Sequence, residues 1–588
     1  MDKRIIVDSS FNEETRVAFI NGSEIEHFEV DTSSNKKQLK GNVYLAKISR
    51  VEPSLQAAFI NYGGNRQGFL PFSEISNDYF KIPEADKKNK KKDDDFVVKD
   101  FYRDNNENRI KKLPRIPDFK KYKIQEVIKK NQIMLVQVVK DERGNKGAAL
   151  TTYISIAGKY CVLMPNKPLG IKISKKIINF NERKKLTQIS GKCKLTKEMG
   201  LIIRTASRDC DENNLKKDFD YVLGIWKSIK EKTINSLAPT IINDDSNIVN
   251  KFIRDSFIEE YKEIIIEGQK TYEQAKKYMK TLLPGQERKL KEYKNTKLPI
   301  MEYYDLENKI NSIYDTKVRL KSGGYIIINS TEALTAIDIN SGQSTTERSV
   351  EQTALKTNIE AVDEICKQIR IRNIAGLIVV DFIDMEYIRN KIIIERRLKE
   401  TLRYDRAKCQ ISRISKFGLI ELSRQRIGPS LEETTMEEVI ISGIRCTIRS
   451  TTSSVAKILR KLKYLKFEKK IKELTIHLYE TLYEYIINNN QNLIKDFEEK
   501  LKTKIVLIKD NNIAPPFFIL KTNEPNKNKS SVIYDDVPKL LSEEEINENK
   551  KNKKIEKKAI IKNKKKVETK KKIVKKKESI DEVSTLVK

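Results

Sequence analysis

Two aspartates and an asparagine stand at the ends of two apolar segments, where their spacing suits phosphate chemistry. In "LTAIDINSGQ" (334–343), Asn340 follows Asp338 by two residues, and residues two apart on a strand point to the same face. The second segment, "AGLIVVDFIDM" (375–385), carries Asp381 after its apolar run. Parallel neighbours in an α/β sheet bring their carboxyl ends together, so we expect these three side chains to meet there.

This group of oxygen ligands has two interpretations. Two carboxylates and an amide suit Mg²⁺ or Mn²⁺, and such an ion activates water and neutralises charge on a phosphate. Alternatively, the acids cap helices or end their strands at the surface. Four cations follow that could hold the phosphates of a substrate, although each singly is also typical of a solvated face: Lys408, Arg413, Arg424 and Arg426.

Residue usage argues against other catalytic chemistries. His27 and His477 are the only histidines, which nearly excludes a multi-histidine metal site or histidine-based acid–base catalysis. The six cysteines contain no CxxC pair, which indicates reduced thiols, and there is no Walker-type glycine-rich loop. Catalysis would therefore depend on carboxylates, metal and cations.

The composition predicts a basic protein of several domains. The chain has 588 residues, 34% of them charged, and a formal net charge of +33, which favours a polyanionic partner such as nucleic acid or an anionic membrane surface. Residues 551–588 contribute 16 lysines against five acids. The amino terminus lacks the apolar core of a secretory signal, and no run reaches the roughly 18 apolar residues that span a bilayer. We therefore expect a soluble or peripheral protein.

Short strands separated by turns over 41–75 predict a small antiparallel barrel. Aromatic side chains beside cations such as Lys146 are typical of single-strand nucleic-acid binding, but some aromatics of any small barrel belong to its core. The aromatics concerned are Phe59, Tyr62, Phe69 and Phe72.

Further along the chain, periodicity predicts helical structure over 248–283 and over 453–490. Between these regions, strand, helix and strand alternate around Asp338 and Asp381, which predicts an α/β unit with a largely buried sheet. A β-hairpin is expected over 409–426, and the residues from 523 are predicted to be disordered.

Five segments together resemble the ribonuclease E/G family of bacterial endoribonucleases. The match runs collinearly to about Ile508 and leaves a charged insertion and the tail uncovered. The segments are "GNVYLAKISRVEPSLQAAFINYGGNRQGFLPFSEIS", "DERGNKGAALTTYISIAGKYCVLMPN", "STEALTAIDINSG", "NIEAVDEICKQIRIRNIAGLIVVDFIDM" and "ISKFGLIELSRQRIGPSL".

The resemblance implies a multidomain α/β and β architecture. An RNase-H-like domain would contain an inserted OB-fold barrel of the S1 type, followed by a 5′-sensor region, a DNase-I-like catalytic α/β subdomain and a small C-terminal α/β domain. The implied boundaries are 1–38 and 248–313 for the RNase-H-like part, 39–152 for the barrel with its insertion at about 84–121, 153–247 for the sensor, 314–435 for the catalytic subdomain, 436–450 for a linker, 451–522 for the small domain and 523–588 for the lysine-rich tail.

The resemblance also implies a function for individual residues. Asp338 and Asp381 match magnesium-binding carboxylates and Asn340 the amide that supports them, so the expected cofactor is Mg²⁺, or Mn²⁺ in its place. RNA-binding positions are Phe59, Phe69 and Lys146, to which the sequence adds Lys408. The family's pocket for a 5′-monophosphate corresponds in this sequence to Arg204, Thr205 and the backbone of Val162.

These matches imply an endoribonuclease that cuts single-stranded RNA, prefers a 5′-monophosphate and leaves a 3′-hydroxyl and a 5′-phosphate. Its expected substrates are rRNA, tRNA and mRNA precursors in processing and decay. A non-catalytic RNA-binding protein, which uses the barrel and the basic surface, is the alternative.

Two departures from the family pattern change what is expected of the assembly and of the sensor. The segment "MEEVIISGIRC" has only Cys446 where the family commonly has CPxCxG, so we expect no zinc and a homo-oligomer, dimer or tetramer, without a zinc link. Lys175 stands where the family has an arginine, which keeps the charge but loses a bidentate grip on phosphate.

We expect a short, lysine-rich carboxyl tail without the long scaffold of larger family members. Its lysines are expected to bind RNA or to form a basic helix on a membrane surface. The resemblance thus implies a bacterial cytoplasmic protein, with or without peripheral contact at the inner membrane.

Overall fold

The computed structural model of the chain describes residues 2–535 except 12, 33–38, 82–121, 143–145, 209, 257–260, 284, 295–297, 343–348, 442–443, 469–472, 502, 511, 515 and 524–529. The chain divides into two compact units, Met1–Lys469 and Lys470–Lys588. The predicted insertion at 84–121 and residues 536–588 of the predicted tail lie outside the described residues. None of the described helices is both long and apolar enough to cross a membrane.

The first unit begins with an antiparallel meander and continues into a closed barrel. The meander consists of β1 (Lys3–Phe11), β2 (Glu14–Asn21) and β3 (Glu24–Thr32). The barrel consists of β4 (Val43–Glu52), β5 (Ala57–Asn61), β6 (Gly68–Pro71), α1 (Ile124–Val127), β7 (Ile133–Lys140) and β8 (Ala149–Thr151). It closes because β4 pairs with both β5 and β7, while β8 joins β6 to β7. The predicted barrel is thereby confirmed, and closure removes unpaired strand edges.

A small sheet packed on two helices follows the barrel. Its elements are β9 (Ile156–Ala157), β10 (Cys161–Met164), β11 (Gly170–Ile173), α2 (Phe180–Ser190), β12 (Gly200–Ile203) and α3 (Glu212–Ile234), after which β13 (Thr240–Asn243) returns to pair with β4. Leu186, Leu201, Phe219 and Val222 belong to its buried core.

The predicted helical region at 248–283 is interrupted by a strand. The order is α4 (Ile248–Ser256), β14 (Glu263–Glu267), α5 (Gln269–Leu282), β15 (Leu290–Glu292), α6 (Ile300–Tyr303) and α7 (Glu307–Ser312). Strand β14 reads "EIIIE" and is buried on both faces, so it lacks any period that separates a strand from a helix. It pairs in parallel with β1, which gives the sheet order β15-β14-β1-β2-β3.

A six-stranded sheet carries the candidate carboxylates. Its elements are β16 (Lys317–Arg319), β17 (Tyr325–Ser330), β18 (Leu334–Asn340), α8 (Val350–Ile371), β19 (Gly376–Asp381), α9 (Ile388–Leu402), β20 (Cys409–Ile411) and β21 (Leu419–Arg424). The order is β16-β17-β18-β19-β21-β20, with β18 and β19 parallel and every other pair antiparallel. The hairpin expected over 409–426 is confirmed by the pairing of β20 with β21.

The prediction that this sheet is largely buried was wrong for one of its two faces. Helices α8 and α9 form one core with the inward side chains, among them Ile337, Ile339, Ile378 and Val380. Residues of the opposite face, which we call the open face, alternate with these and are exposed or half-buried. The apolar content of "GLIVVD" predicted a strand covered on both sides, although Leu377 is in fact 43% exposed.

The end of the first unit contains α10 (Leu431–Thr435), β22 (Met436–Ile441), β23 (Ile444–Arg449) and α11 (Thr451–Glu468), so a β-hairpin occupies the stretch expected to be a linker. The second unit contains β24 (Glu473–Leu478), α12 (Glu480–Asn489), α13 (Gln491–Leu501), β25 (Lys504–Lys509), β26 (Phe518–Asn523) and β27 (Ser530–Asp535). Two expectations were therefore wrong, because β24 interrupts the helical stretch at 453–490 and β27 lies where disorder was predicted.

A buried ionic network joins α11 to the first sheet. Arg460 donates through Nε to Asp8 Oδ2 at 2.9 Å and through Nη1 to Glu14 Oε1 at 2.6 Å. Arg16 donates to the same Asp8 oxygen at 2.8 Å and to Glu307 at 2.9 Å. Burial by itself raises the pKa of Asp8, but the charges of Arg460 and Arg16 outweigh it and hold that pKa well below its usual range.

Replacing Arg460 with methionine should lower the free energy of unfolding by about 3–5 kcal/mol, because it removes the guanidinium that pairs with the buried carboxylate of Glu14 and leaves Asp8 with Arg16 alone. A lowered carboxyl pKa stabilises the fold above the unfolded-state value of about 4 and loses that contribution as the pH falls. In Arg460→Met the Asp8 pKa rises, so acid unfolding should begin at a higher pH. Urea and acid titrations followed by circular dichroism measure both effects.

The matched control is Arg397→Met, which removes an exposed ion pair with Asp363 and should cost no more than about 1 kcal/mol. Equal unfolding midpoints for the two variants would contradict a stabilising role for the buried network.

Candidate active site and RNA-binding surfaces

The strand register places the two aspartates side by side. Strands β18 and β19 pair in parallel with Asp338 opposite Asp381, as the sequence predicted. Both carboxylates are exposed on the open face, because Ile337, Ile339 and Val380 take the alternate, buried positions. The site therefore lies on a sheet face near the strand ends, instead of beyond the carboxyl edge of a doubly covered sheet.

Asn340 lies one pleat beyond Asp338 on the same face. Its side-chain amide donates from Nδ2 to Asp338 Oδ2 at 2.8 Å, which fixes the orientation of that carboxylate. The pKa of Asp381 is raised, first by partial burial and then by the negative charges of Asp338 and Asp384. A bound cation would relieve this repulsion, so the donor set fits a hard divalent ion.

The described residues contain no cluster of three or more histidine, cysteine or acidic side chains arranged to enclose a metal. An ion at Asp338 and Asp381 would therefore keep much of its shell for water or phosphate oxygens, which is how Mg²⁺ usually binds in proteins.

Asp384 is a third acid near the site that the sequence argument did not single out. Gly418, at φ +79°, lies beside it in the turn before β21, where a Cβ would fall 3.3 Å from Asp384 Oδ1 and 3.9 Å from Asp381 Oδ1. Both carboxylates thus border the same glycine. The second acid of "DFIDM" was the signal that could have identified it.

The four cations assigned to phosphate binding have different environments. Lys408 and Arg413 are exposed, at the start of β20 and just after it. Arg426 pairs with Glu433. For Arg424 the prediction was wrong, since it is buried and holds Asp405 through Nε at 2.8 Å and Nη2 at 3.1 Å. Its Nη1 donates to the carbonyl of Ile374 at 2.9 Å, so its guanidinium stabilises the fold.

The barrel divides its aromatic residues between surface and core. Phe59 and Phe69 are directly opposite on β5 and β6, with their half-buried rings 6.0 Å apart, and the Arg50 guanidinium lies 4.2 Å from the Phe59 ring centre. Lys146 is exposed three residues before β8. By contrast, Tyr62 and Phe72 are buried in the barrel core. Phe59 and Phe69 therefore form an aromatic platform flanked by a cation, which suits stacking with bases.

The residues matched to a 5′-phosphate pocket come from adjacent strands. Val162 pairs with Ile202, and Arg204 and Thr205 follow directly after that strand. Arg204 donates from Nη1 to the Gly158 carbonyl at 2.6 Å and forms an ion pair with Asp255 at 2.7 Å. Lys175 is exposed.

Asp218 holds the turn that Arg204 contacts. Its buried carboxylate accepts from the backbone amides of Lys159, Tyr160 and Cys161 at 2.8–3.0 Å, which fixes the turn that contacts Arg204. Asp218 was not predictable from the sequence, because a mid-helix aspartate carries no local signal for a backbone partner more than 50 residues away.

Three family models match the chain. The one described as Ribonuclease E/G family covers residues 155–427, the one described as S1 RNA binding domain covers 37–152, and the one described as RNase E/G, thioredoxin-like domain covers 445–523. The second match identifies the closed barrel as an S1 RNA-binding domain of the OB fold.

Curated proteins of similar sequence include Ribonuclease E of Haemophilus influenzae, 37% identical over 88% of this chain and 51% of that protein. Ribonuclease E of Escherichia coli K12 is 35% identical over 93% of this chain and 49% of that protein. A putative ribonuclease E of Buchnera aphidicola subsp. Baizongia pistaciae is 39% identical over 73% of this chain and 97% of that protein. The chain thus spans about half the length of the first two relatives.

Replacing Arg424 with methionine should lower the free energy of unfolding by about 3–5 kcal/mol, because the buried carboxylate of Asp405 would lose its bidentate partner. Arg426→Met, two residues away, removes only an exposed ion pair and should change stability by about 1 kcal/mol or less. Urea unfolding of the two variants measures the difference. A stable Arg424→Met protein with weakened RNA binding would instead restore Arg424 to the phosphate-binding group.

Proposed function

The chain belongs to the ribonuclease E/G family, and from this premise we propose that it is a magnesium-dependent endoribonuclease that cleaves single-stranded RNA. The observation that carries the proposal is the register of β18 with β19, which holds the carboxylates of Asp338 and Asp381 side by side on an exposed face. The S1 domain gives independent support, because it provides an RNA-binding surface in the same chain.

In the proposed site, Asp338 and Asp381 would hold Mg²⁺, or Mn²⁺ in its place, and Asn340 orients the Asp338 carboxylate. When bound, such an ion supplies a water of lowered pKa and offsets charge that develops on the attacked phosphate. The open face would admit an extended RNA strand, since none of the described elements forms a layer over the carboxylates. Hydrolysis at this site leaves a 3′-hydroxyl and a 5′-phosphate.

Phe59 and Phe69 would hold bases of the single strand away from the cleaved bond, with Arg50 and Lys146 beside them for its phosphates. Stacking on aromatic rings is tolerant of sequence, which suits an enzyme that acts on many transcripts. Lys408, exposed at the edge of the carboxylate-bearing sheet, would add a further phosphate contact.

For the RNA end, we propose that Arg204, Thr205 and the backbone of Val162 recognise a 5′-monophosphate. Arg204 already pairs with Asp255, so an incoming phosphate must either bind Arg204 together with Asp255 or displace the Asp255 carboxylate. A phosphate carries more charge than a carboxylate, which favours the exchange. Lys175 would contribute charge without a bidentate grip.

The cellular role proposed on this basis is processing of rRNA and tRNA precursors and decay of mRNA in a bacterial cytoplasm. A homo-oligomer without a zinc link and contact of the lysine-rich tail with RNA or a membrane surface are part of the same proposal.

Asp338→Asn and Asp381→Asn should each slow cleavage of a labelled single-stranded RNA in Mg²⁺ by at least about 100-fold, because each removes a carboxylate that would hold the ion that offsets charge on the reacting phosphate. Affinity for RNA should be unchanged, since the S1 domain is intact. Glu421→Gln is the matched control, because Glu421 is also an exposed acid on the open face. Normal turnover in either aspartate variant would refute the site, and binding without cleavage by the wild type would favour the non-catalytic alternative.

Arg204→Ala should abolish a preference for RNA with a 5′-monophosphate over RNA with a 5′-hydroxyl. A charged hydrogen bond to phosphate is worth about 1.5–3 kcal/mol, so cleavage of the phosphorylated substrate should fall about 10-fold or more. Cleavage of the hydroxyl substrate should not change. Lys192→Ala, which removes an exposed cation in the same region, should keep the preference. An unaltered preference in Arg204→Ala would overturn the assignment.

A further inference from the structure

We propose that Tyr325, Lys317 and Arg319 form an RNA subsite on the open face, in which a base stacks on Tyr325 and the two cations hold the adjoining phosphates. The inference rests on the proposed function, since it names where the strand lies as it crosses the carboxylates. We call this group the β16–β17 subsite.

The strand register puts the subsite on the same face as the carboxylates. Directly paired residues share a face, and one row across the sheet runs from Lys317 through Ile327 and Asp338 to Asp381. The next row runs from Arg319 through Tyr325 to Asn340. Tyr325 is thus directly opposite the asparagine that orients Asp338.

The distances suit a neighbouring nucleotide. Adjacent strands lie about 4.8 Å apart, so Tyr325 is one strand from Asp338 and two from Asp381, and Lys317 is about 10 Å from Asp338. A base on Tyr325 would therefore lie within about two nucleotides of the cleaved bond.

The two cations are available for phosphate. Among the described residues, no carboxylate forms an ion pair with Lys317 or Arg319, and both side chains are exposed on the edge strand β16. This differs from Arg16, Arg424 and Arg460, whose charges are neutralised by buried acids. A phosphate that binds Lys317 or Arg319 therefore does not have to displace a carboxylate from a described ion pair.

The Tyr325 ring is half-buried, and the Lys317 ammonium lies 3.7 Å from its centre. An aromatic face covered by a mobile cation is a surface that a base can take over, because the lysine stem can swing its charge to the neighbouring phosphate. Lys317 would thus contact the Tyr325 ring in the free protein and a phosphate in the RNA complex.

The test measures binding of uncleaved single-stranded RNAs to the full chain by fluorescence anisotropy, with EDTA present so that no cleavage occurs. Each RNA carries one abasic nucleotide, moved stepwise along the sequence. Loss of a stacked base should weaken binding by the wild type about 10-fold at one position within two nucleotides of the bond that the same chain cleaves in Mg²⁺. Tyr325→Leu should show no penalty at that position, whereas Tyr325→Phe should retain it.

The matched control is Tyr387→Leu, which alters an exposed tyrosine that also lies against a cation, Arg389, but at the N-cap of α9. It should leave the abasic profile unchanged. Lys317→Met and Arg319→Met each alter an exposed side chain and should each reduce the slope of log affinity against log salt by about 1.

An abasic profile that is the same in the wild type and in Tyr325→Leu would overturn the stacking subsite, and unchanged salt slopes would overturn the phosphate contacts. Failure of the proposed function gives a different result, namely RNA binding by the wild type with no cleavage in Mg²⁺ at any position.

Discussion

The parallel pairing of β18 with β19 is the constraint on which the candidate site depends. Two strands that run the same way cannot be joined by a tight turn, so the chain must cross the sheet between them, and α8 makes that crossing. The helix that satisfies the connection also buries the inward residues of both strands. One covered face and one open face follow, and the register then fixes Asp338 opposite Asp381.

The strands that carry the candidate carboxylates could be predicted from the sequence, because their local hydrophobic pattern matches their position in the folded sheet. The period of two in "LTAIDIN" predicted that Asp338 and Asn340 share a face, and the apolar run before Asp381 predicted its strand. The open face was not predictable, because the positions of "GLIVVD" that face water ahead of Asp381 are occupied by the apolar residues Leu377 and Val379. The predictions for β14 and Arg424 were wrong for a related reason. Strand β14 is identified by its pairing with β1, and the role of Arg424 by its contact with Asp405, and both partners are distant in sequence or not marked by a local pattern.

The net charge of +33 proved to be a poor guide to where an anion binds. Arg16, Arg424 and Arg460 are neutralised inside the fold, and Arg204 is shared with an acid. Only cations without such partners can attract a polyanion at little cost of desolvation. The distribution of carboxylates around the arginines, more than the number of arginines, therefore determines which part of the surface is available to RNA.

The ionic network around Arg460 joins residues that the ribosome makes at very different times. Asp8 and Glu14 are separated from Arg460 by 452 and 446 residues, so a ribosome exposes both acids long before their partner emerges. Burying Glu14 without the Arg460 guanidinium would be unfavourable, although Asp8 would still have Arg16. The ionic network can therefore be completed only after α11 has left the ribosome, and a truncated chain that ends before α11 would lack Arg460.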